Sequence, residues 1–183
     1  MIRSLVIFAS VVLALGQQVA ADEVVVLIGK FVQGAVIIGQ APIGSKISLG
    51  DKQILVSDQG HFVFGFGRDA EGPMILTTNK PDGTVETRNL SIEKRTYNIQ
   101  KIEGVAQKYV SPPKEVSDRI SQDAALVANA RTSNFAQPMY VNGFTWPAVG
   151  RISGVYGSQR VFNGVPKRPH FGVDVAAPVG TAI

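Results

Sequence analysis

Near its carboxyl end the chain reads Arg168-Pro169-His170-Phe171-Gly172-Val173-Asp174, a neutral nitrogen ligand and an anionic oxygen ligand four positions apart beside a glycine. Imidazole and carboxylate both suit a borderline-soft cation such as zinc, and a catalytic zinc takes three protein ligands plus an open position for water. His170 and Asp174 are therefore read as half of a Zn2+ site. The only other histidine is His61, and there is no cysteine. The remaining ligands are expected outside this sequence, in a longer protein of which this chain is the front part.

The local pattern dictates how the two ligands could meet. Pro169 before His170, and β-branched residues at 173 and 175, point to a strand or strand edge, where positions 170, 172 and 174 share one face. A straight strand would set the α-carbons of 170 and 174 roughly 13 Å apart, too far for two perpendicular side chains to reach one ion. A bend or bulge at Gly172 is expected, since glycine lacks the Cβ that would resist it and would leave room for metal and water. The competing reading is an exposed histidine in a basic loop and an aspartate that opens a turn.

Several elements must position this pair. Arg3 followed by the apolar run Leu5 to Leu15, and Val19-Ala20-Ala21 before Asp22-Glu23, make residues 1-21 a secretory signal peptide. An uncleaved anchor is the rival, but the run is about half of the roughly 20 apolar residues a membrane span needs. No stable membrane span is expected after cleavage. An exported chain without cysteines has no disulfide to support it, so burial must hold the fold. With 45% hydrophobic and 17% charged residues, the composition is globular, not disordered.

Residues 22-110 show short β-rich runs broken by glycine, proline and aspartate, the rhythm of a small immunoglobulin-like β-sandwich. The expected strands are Val24 to Ile28, Ala35 to Ile38, Lys46 to Leu49, Gln53 to Val56, His61 to Phe66, Met74 to Thr78 and Thr84 to Leu90. Alternation places Phe62, Phe64 and Phe66 on the core face. Residues 111-143 form a linker: Ser111 as cap, Pro112 and Pro113 at the start, and Val116, Ile120, Ala124 and Val127 at helical spacing predict an amphipathic helix from Ser111 to Arg131. Polar, turn-forming residues 132 to 142 follow.

Residues 144-183 return to glycine-punctuated β sequence and are too few to build a core of their own without disulfides. They need a partner. Trp146 is expected to pack at the entrance of this segment. Arg151, Arg160, Lys167 and Arg168 give it a basic character, read by default as solvated loop charge and alternatively as attraction for anionic polymers. No phosphate-cradling loop, nucleophile elbow or nucleic-acid signature appears, so nucleic acid is excluded as a partner.

Phe144-Thr145-Trp146-Pro147, then Gly150-Arg151-Ile152-Ser153-Gly154-Val155-Tyr156-Gly157, Arg160, Gly164, and Pro169-His170-Phe171-Gly172-Val173-Asp174-Val175-Ala176-Ala177-Pro178-Val179-Gly180-Thr181 follow one another in an informative order and spacing. Together they resemble the start of the lysostaphin/LytM-type zinc metallopeptidase domain. The resemblance implies the truncated start of an antiparallel β domain whose enzymes are zinc endopeptidases of peptidoglycan cross-links. His170 and Asp174 match its first two zinc ligands. The later His-x-His motif, which carries the third ligand and the catalytic histidine, has no counterpart here, so the catalytic residues are unknown and the chain alone is expected to be inactive. The implied location is periplasmic or extracellular, in the cell envelope, with peptidoglycan as partner. The alternatives are a non-catalytic cell-wall-binding or hydrolase-activating protein that partners an envelope enzyme, and an envelope-binding sandwich with an incidental final segment.

Overall fold

A computed structural model describes residues 24–183. The proposed signal peptide lies outside the described residues. The expected mainly-β architecture is present, with several antiparallel sheets and one long helix.

Seven strands make up the amino-terminal module: β1 (Val26–Ile28), β2 (Val36–Gln40), β3 (Lys46–Leu49), β4 (Lys52–Ile54), β5 (His61–Gly65), β6 (Met74–Asn79) and β7 (Val85–Leu90). All seven expected runs are strands, with ends displaced by at most two residues. They form two antiparallel sheets, β1-β2-β5 and β4-β3-β6-β7, so the chain crosses between sheets after β2 and again around β5. One core cluster joins them. Ile37, Phe62, Phe64 and Phe66 enter it from the first sheet side, and Ile47, Leu76 and Leu90 from the second.

The alternation in β5 explains why this sheet holds its register. Phe62, Phe64 and Phe66 are buried on one face while the residues between them are not. The rings of Phe64 and Phe66 meet edge to face at 5.7 Å, and Phe31 adds a second such contact to Phe66 at 6.1 Å. Gly39 stands opposite Phe62 in the β2·β5 ladder, and a Cβ there would collide with the Phe62 ring. A one-residue slip would place Ile38 or Gln40 against that ring, so the register is fixed sterically.

The chain then runs into β8 (Ile99–Ile102), a strand absent from the sequence expectation, and a short helix α1 (Gln107–Val110). The long helix α2 (Lys114–Ala130) is present, but Ser111 does not cap it. Ser111 terminates α1 instead, and Pro113 occupies the cap position of α2 with no side-chain hydrogen bond. Proline there is tolerated because the first amides of a helix have no partner to lose. No residue of α2 is buried, so its apolar stripe covers nothing among the described residues.

The carboxyl-terminal segment contains β9 (Arg151–Gly154), β10 (Gln159–Phe162), β11 (Val165–Pro166) and β12 (Asp174–Ala176). β9 pairs antiparallel with β12; β10 pairs antiparallel with β11 and parallel with β8. Asn163-Gly164 closes the β10–β11 hairpin with positive φ at both residues, the backbone that a two-residue turn between twisted strands requires. The segment contributes nothing to the hydrophobic cluster, in keeping with its expected need for a partner. Trp146 corrects the sequence reading: it is 69% exposed, because no described element lies over it. Among the described residues no helix is long and apolar enough to cross a membrane.

Candidate metal centre

His170 sits on the connection between β11 and β12, and Asp174 is the first residue of β12. The backbone holds this connection at two points. The His170 N–H donates to the Ser158 carbonyl at 2.8 Å, and the Gly157 N–H donates to the His170 carbonyl at 2.7 Å. Ser158 Oγ donates to the Val155 carbonyl, closing the turn that offers those groups. The Tyr156 and Phe171 rings meet edge-on at 6.1 Å across the same junction.

The expected bend at Gly172 is present, and regular strand begins only at Asp174. A register shift between Asp174 and Val175 in the β9·β12 pair adds a bulge beside the bend. The consequence is that the side chains of His170 and Asp174 converge. Nε2 of His170 lies 3.3 Å from Oδ1 of Asp174.

That distance carries chemical information. Two ligand atoms at tetrahedral positions, each about 2.0–2.1 Å from one zinc ion, stand about 3.3 Å apart. Nε2 of His170 is also buried and makes no hydrogen bond, although the His170 side chain as a whole is 34% exposed and that of Asp174 61% exposed. A buried ring nitrogen without a hydrogen bond is costly, and its one close polar neighbour here is the Asp174 carboxylate. The donor set is one imidazole and one carboxylate, both of which zinc accepts.

Gly154 on β9 lets the two side chains come together over its backbone. A Cβ at 154 would collide with Oδ2 of Asp174 and would stand 3.2 Å from Nε2 of His170. Glycine inside a strand often marks such a close approach, and this was the available signal in the sequence. Gly172 has a different part. A Cβ there would lie 3.7 Å from the His170 ring, an ordinary contact, so this glycine's part is the bend.

The pair opens into a cleft of 510 Å³ whose walls include Asn98 and Gln100 of β8, Ile152 to Val155, Arg160 and Phe162. Lys167 and Arg168 also line it. Lys167 is not free: its Nζ donates to the Val110 carbonyl and lies 5.9 Å from the Phe162 ring. Arg168 lies over Phe171 at 5.4 Å and Arg160 is exposed. Arg151 is exposed on β9. Among the described residues no group of three His, Cys, Asp or Glu side chains comes together, so His170 and Asp174 form a two-ligand constellation. His61 stands on β5, paired with Gln40 in the sandwich, and takes no part in it.

No protein-family model matches the chain, and a comparison with curated proteins likewise finds no match.

Proposed function

We propose that this chain carries the opening of a lysostaphin/LytM-type zinc metalloendopeptidase domain that acts on peptidoglycan in the cell envelope, preceded by a signal peptide, an immunoglobulin-like accessory module and a linker helix. The observation that carries the reading is the 3.3 Å approach to Asp174 of a buried His170 Nε2 that makes no hydrogen bond, above the backbone of Gly154. The motif order from Phe144 to Thr181 supports it from the side of the sequence. The strand order β1-β2-β5 and β4-β3-β6-β7 supports the sandwich assignment of the accessory module.

Within this reading each residue has a defined part. His170 supplies the nitrogen ligand and Asp174 an anionic oxygen ligand, which offsets part of the charge of a divalent ion. Zinc, when bound, lowers the pKa of a bound water toward 7 and polarises a scissile carbonyl. The backbone bonds from Gly157 and to Ser158 hold the His170 backbone in place. No residue of this chain is assigned to proton transfer, because the sequence has no His-x-His pair.

Nuclear magnetic resonance of the two imidazoles tests the reading directly. On addition of zinc, the Nε2 signal of His170 should shift while that of His61 stays in place, and Asp174→Asn should weaken the response. An unchanged His170 signal, or one indifferent to Asp174→Asn, would refute it. The second reading is a non-catalytic wall-binding or hydrolase-activating protein. The observation on its side is that no third ligand joins the pair among the described residues. Digestion of purified wall material by the full protein, set against stimulation of another hydrolase, separates the two.

A further inference from the structure

The accessory module reaches the metal-ligand loop through one arginine. Arg68, on the loop after β5, has a side chain only 11% exposed, and each of its three guanidinium nitrogens has a partner. Nε donates to the Gly157 carbonyl at 2.8 Å, Nη1 pairs with Asp69 at 2.7 Å, and Nη2 reaches Gln159 Oε1 at 3.5 Å. The N–H of the same residue, in the preceding peptide group, donates to the His170 carbonyl. One residue of β-turn thus stands between a sandwich arginine and a proposed zinc ligand.

The arginine is itself held. Its guanidinium lies 4.5 Å from the centre of the Tyr97 ring, and the Tyr97 hydroxyl donates to the Arg68 carbonyl at 3.1 Å. Buried Gln33 ties the two segments together, donating to the Ala70 carbonyl and accepting from the Arg95 N–H, both at 3.0 Å. Tyr97 also closes on Gly157, where a Cβ would collide with its ring and where φ is +84°. Glycine is required there on both counts.

We infer that Arg68 is a positioning residue for His170: the accessory module sets the ligand loop through the Arg68–Gly157–His170 relay. This inference rests on the metal reading for its functional meaning, though the relay itself is a matter of hydrogen bonds. Partners that orient a ligand from behind change metal affinity by about 10–100-fold when removed. The charge-assisted Arg68 to Gly157 bond is the stronger kind, and Arg68 supplies it from a rigid fork.

The test uses the whole ¹⁵N-labelled chain and two variants. Arg68→Met keeps the apolar stem and removes the donors; Arg68→Lys keeps a donor. In Arg68→Met the His170 and Gly157 amides should exchange faster with solvent, while the β2 and β5 amides keep their protection. The zinc concentration that half-shifts the His170 Nε2 signal should rise about tenfold. Arg68→Lys should lie between Arg68→Met and the parent on both measures. Unchanged His170 exchange and an unchanged zinc midpoint in Arg68→Met would overturn the inference. If Arg68→Met also loosens the sandwich core, Arg68→Lys decides, and a loss equal to that of Arg68→Met overturns the donor role. Should His170 of the parent chain ignore zinc, the metal reading falls alone, and the exchange rates still decide the relay.

Discussion

The sandwich and the carboxyl-terminal segment are held by different forces. In the first, nine buried apolar residues from Val25 to Leu90 form one cluster between two sheets. In the second, no residue from 144 to 183 joins that cluster, and Phe144, Trp146, Val149 and Val179 lie largely exposed. Beside the close contacts of Tyr97 with Gly157 and of Tyr156 with Gly34, its attachments are hydrogen bonds: the parallel β8·β10 ladder, Gln159 N–H to the Asn98 carbonyl, both amide atoms of Asn163 to Val105, and Arg68 to Gly157. Apolar burial is non-directional and sums to a large term, whereas each hydrogen bond adds only about 0.5–1.5 kcal/mol net but fixes direction. The sandwich therefore supplies the stability, and the segment gains its orientation from docking onto it.

The largest effect should come from the core. Phe62 is 0% exposed and lies across Gly39, so Phe62→Ala should cost about 3–5 kcal/mol of unfolding free energy in denaturant titration. Trp146→Ala, a larger deletion on an exposed surface, should stay within about 0.5 kcal/mol. Equal losses from the two would erase the contrast between the regions.

Next come changes that strike the segment and spare the sandwich. Gly154→Ala should push Asp174 away from His170 and abolish the zinc response of His170 Nε2, with the unfolding midpoint of the sandwich unchanged. Asn163→Ala removes two hydrogen bonds to Val105 and leaves a residue with a Cβ at φ +48°. It should lower protection of the β8·β10 amides by about 1–3 kcal/mol while β2·β5 amides keep theirs. A uniform loss across both sets of amides would mean that the two regions melt as one unit.

The same contrast explains what was legible in the sequence. The sandwich strands announced themselves through alternation at Phe62, Phe64 and Phe66 and through turn residues such as Pro81-Asp82-Gly83, because burial imprints a period on the chain. The bend at Gly172 followed from requiring two side chains to reach one point. β8 was missed because Ile99, Gln100, Lys101 and Ile102 are all exposed, so no alternation marks them, and their partner lies some sixty residues ahead. Ser111 was misplaced because two prolines in succession offer two possible helix starts, and the chain takes the later one. Arg68 gave no local sign at all. Its role exists only through the Gly157 carbonyl, which tertiary docking brings to it.

The mildest lever on this docking is pH. Burial raises the Tyr97 phenol above its ordinary value of 10.0, outweighing the opposing charge of Arg95. The folded state thus retains a proton that the unfolded chain begins to release near pH 10, so the stability linked to neutral Tyr97 is complete below that value. It is lost as pH rises from there through the folded pKa, because the unfolded state then binds fewer protons. Ionisation would also remove the donor that meets the Arg68 carbonyl. Unfolding free energies measured from pH 8 to pH 11 should therefore fall at the alkaline end, and Tyr97→Phe should fall less steeply. Parallel curves for the two proteins would place the alkaline loss on another group and remove Tyr97 from the docking argument.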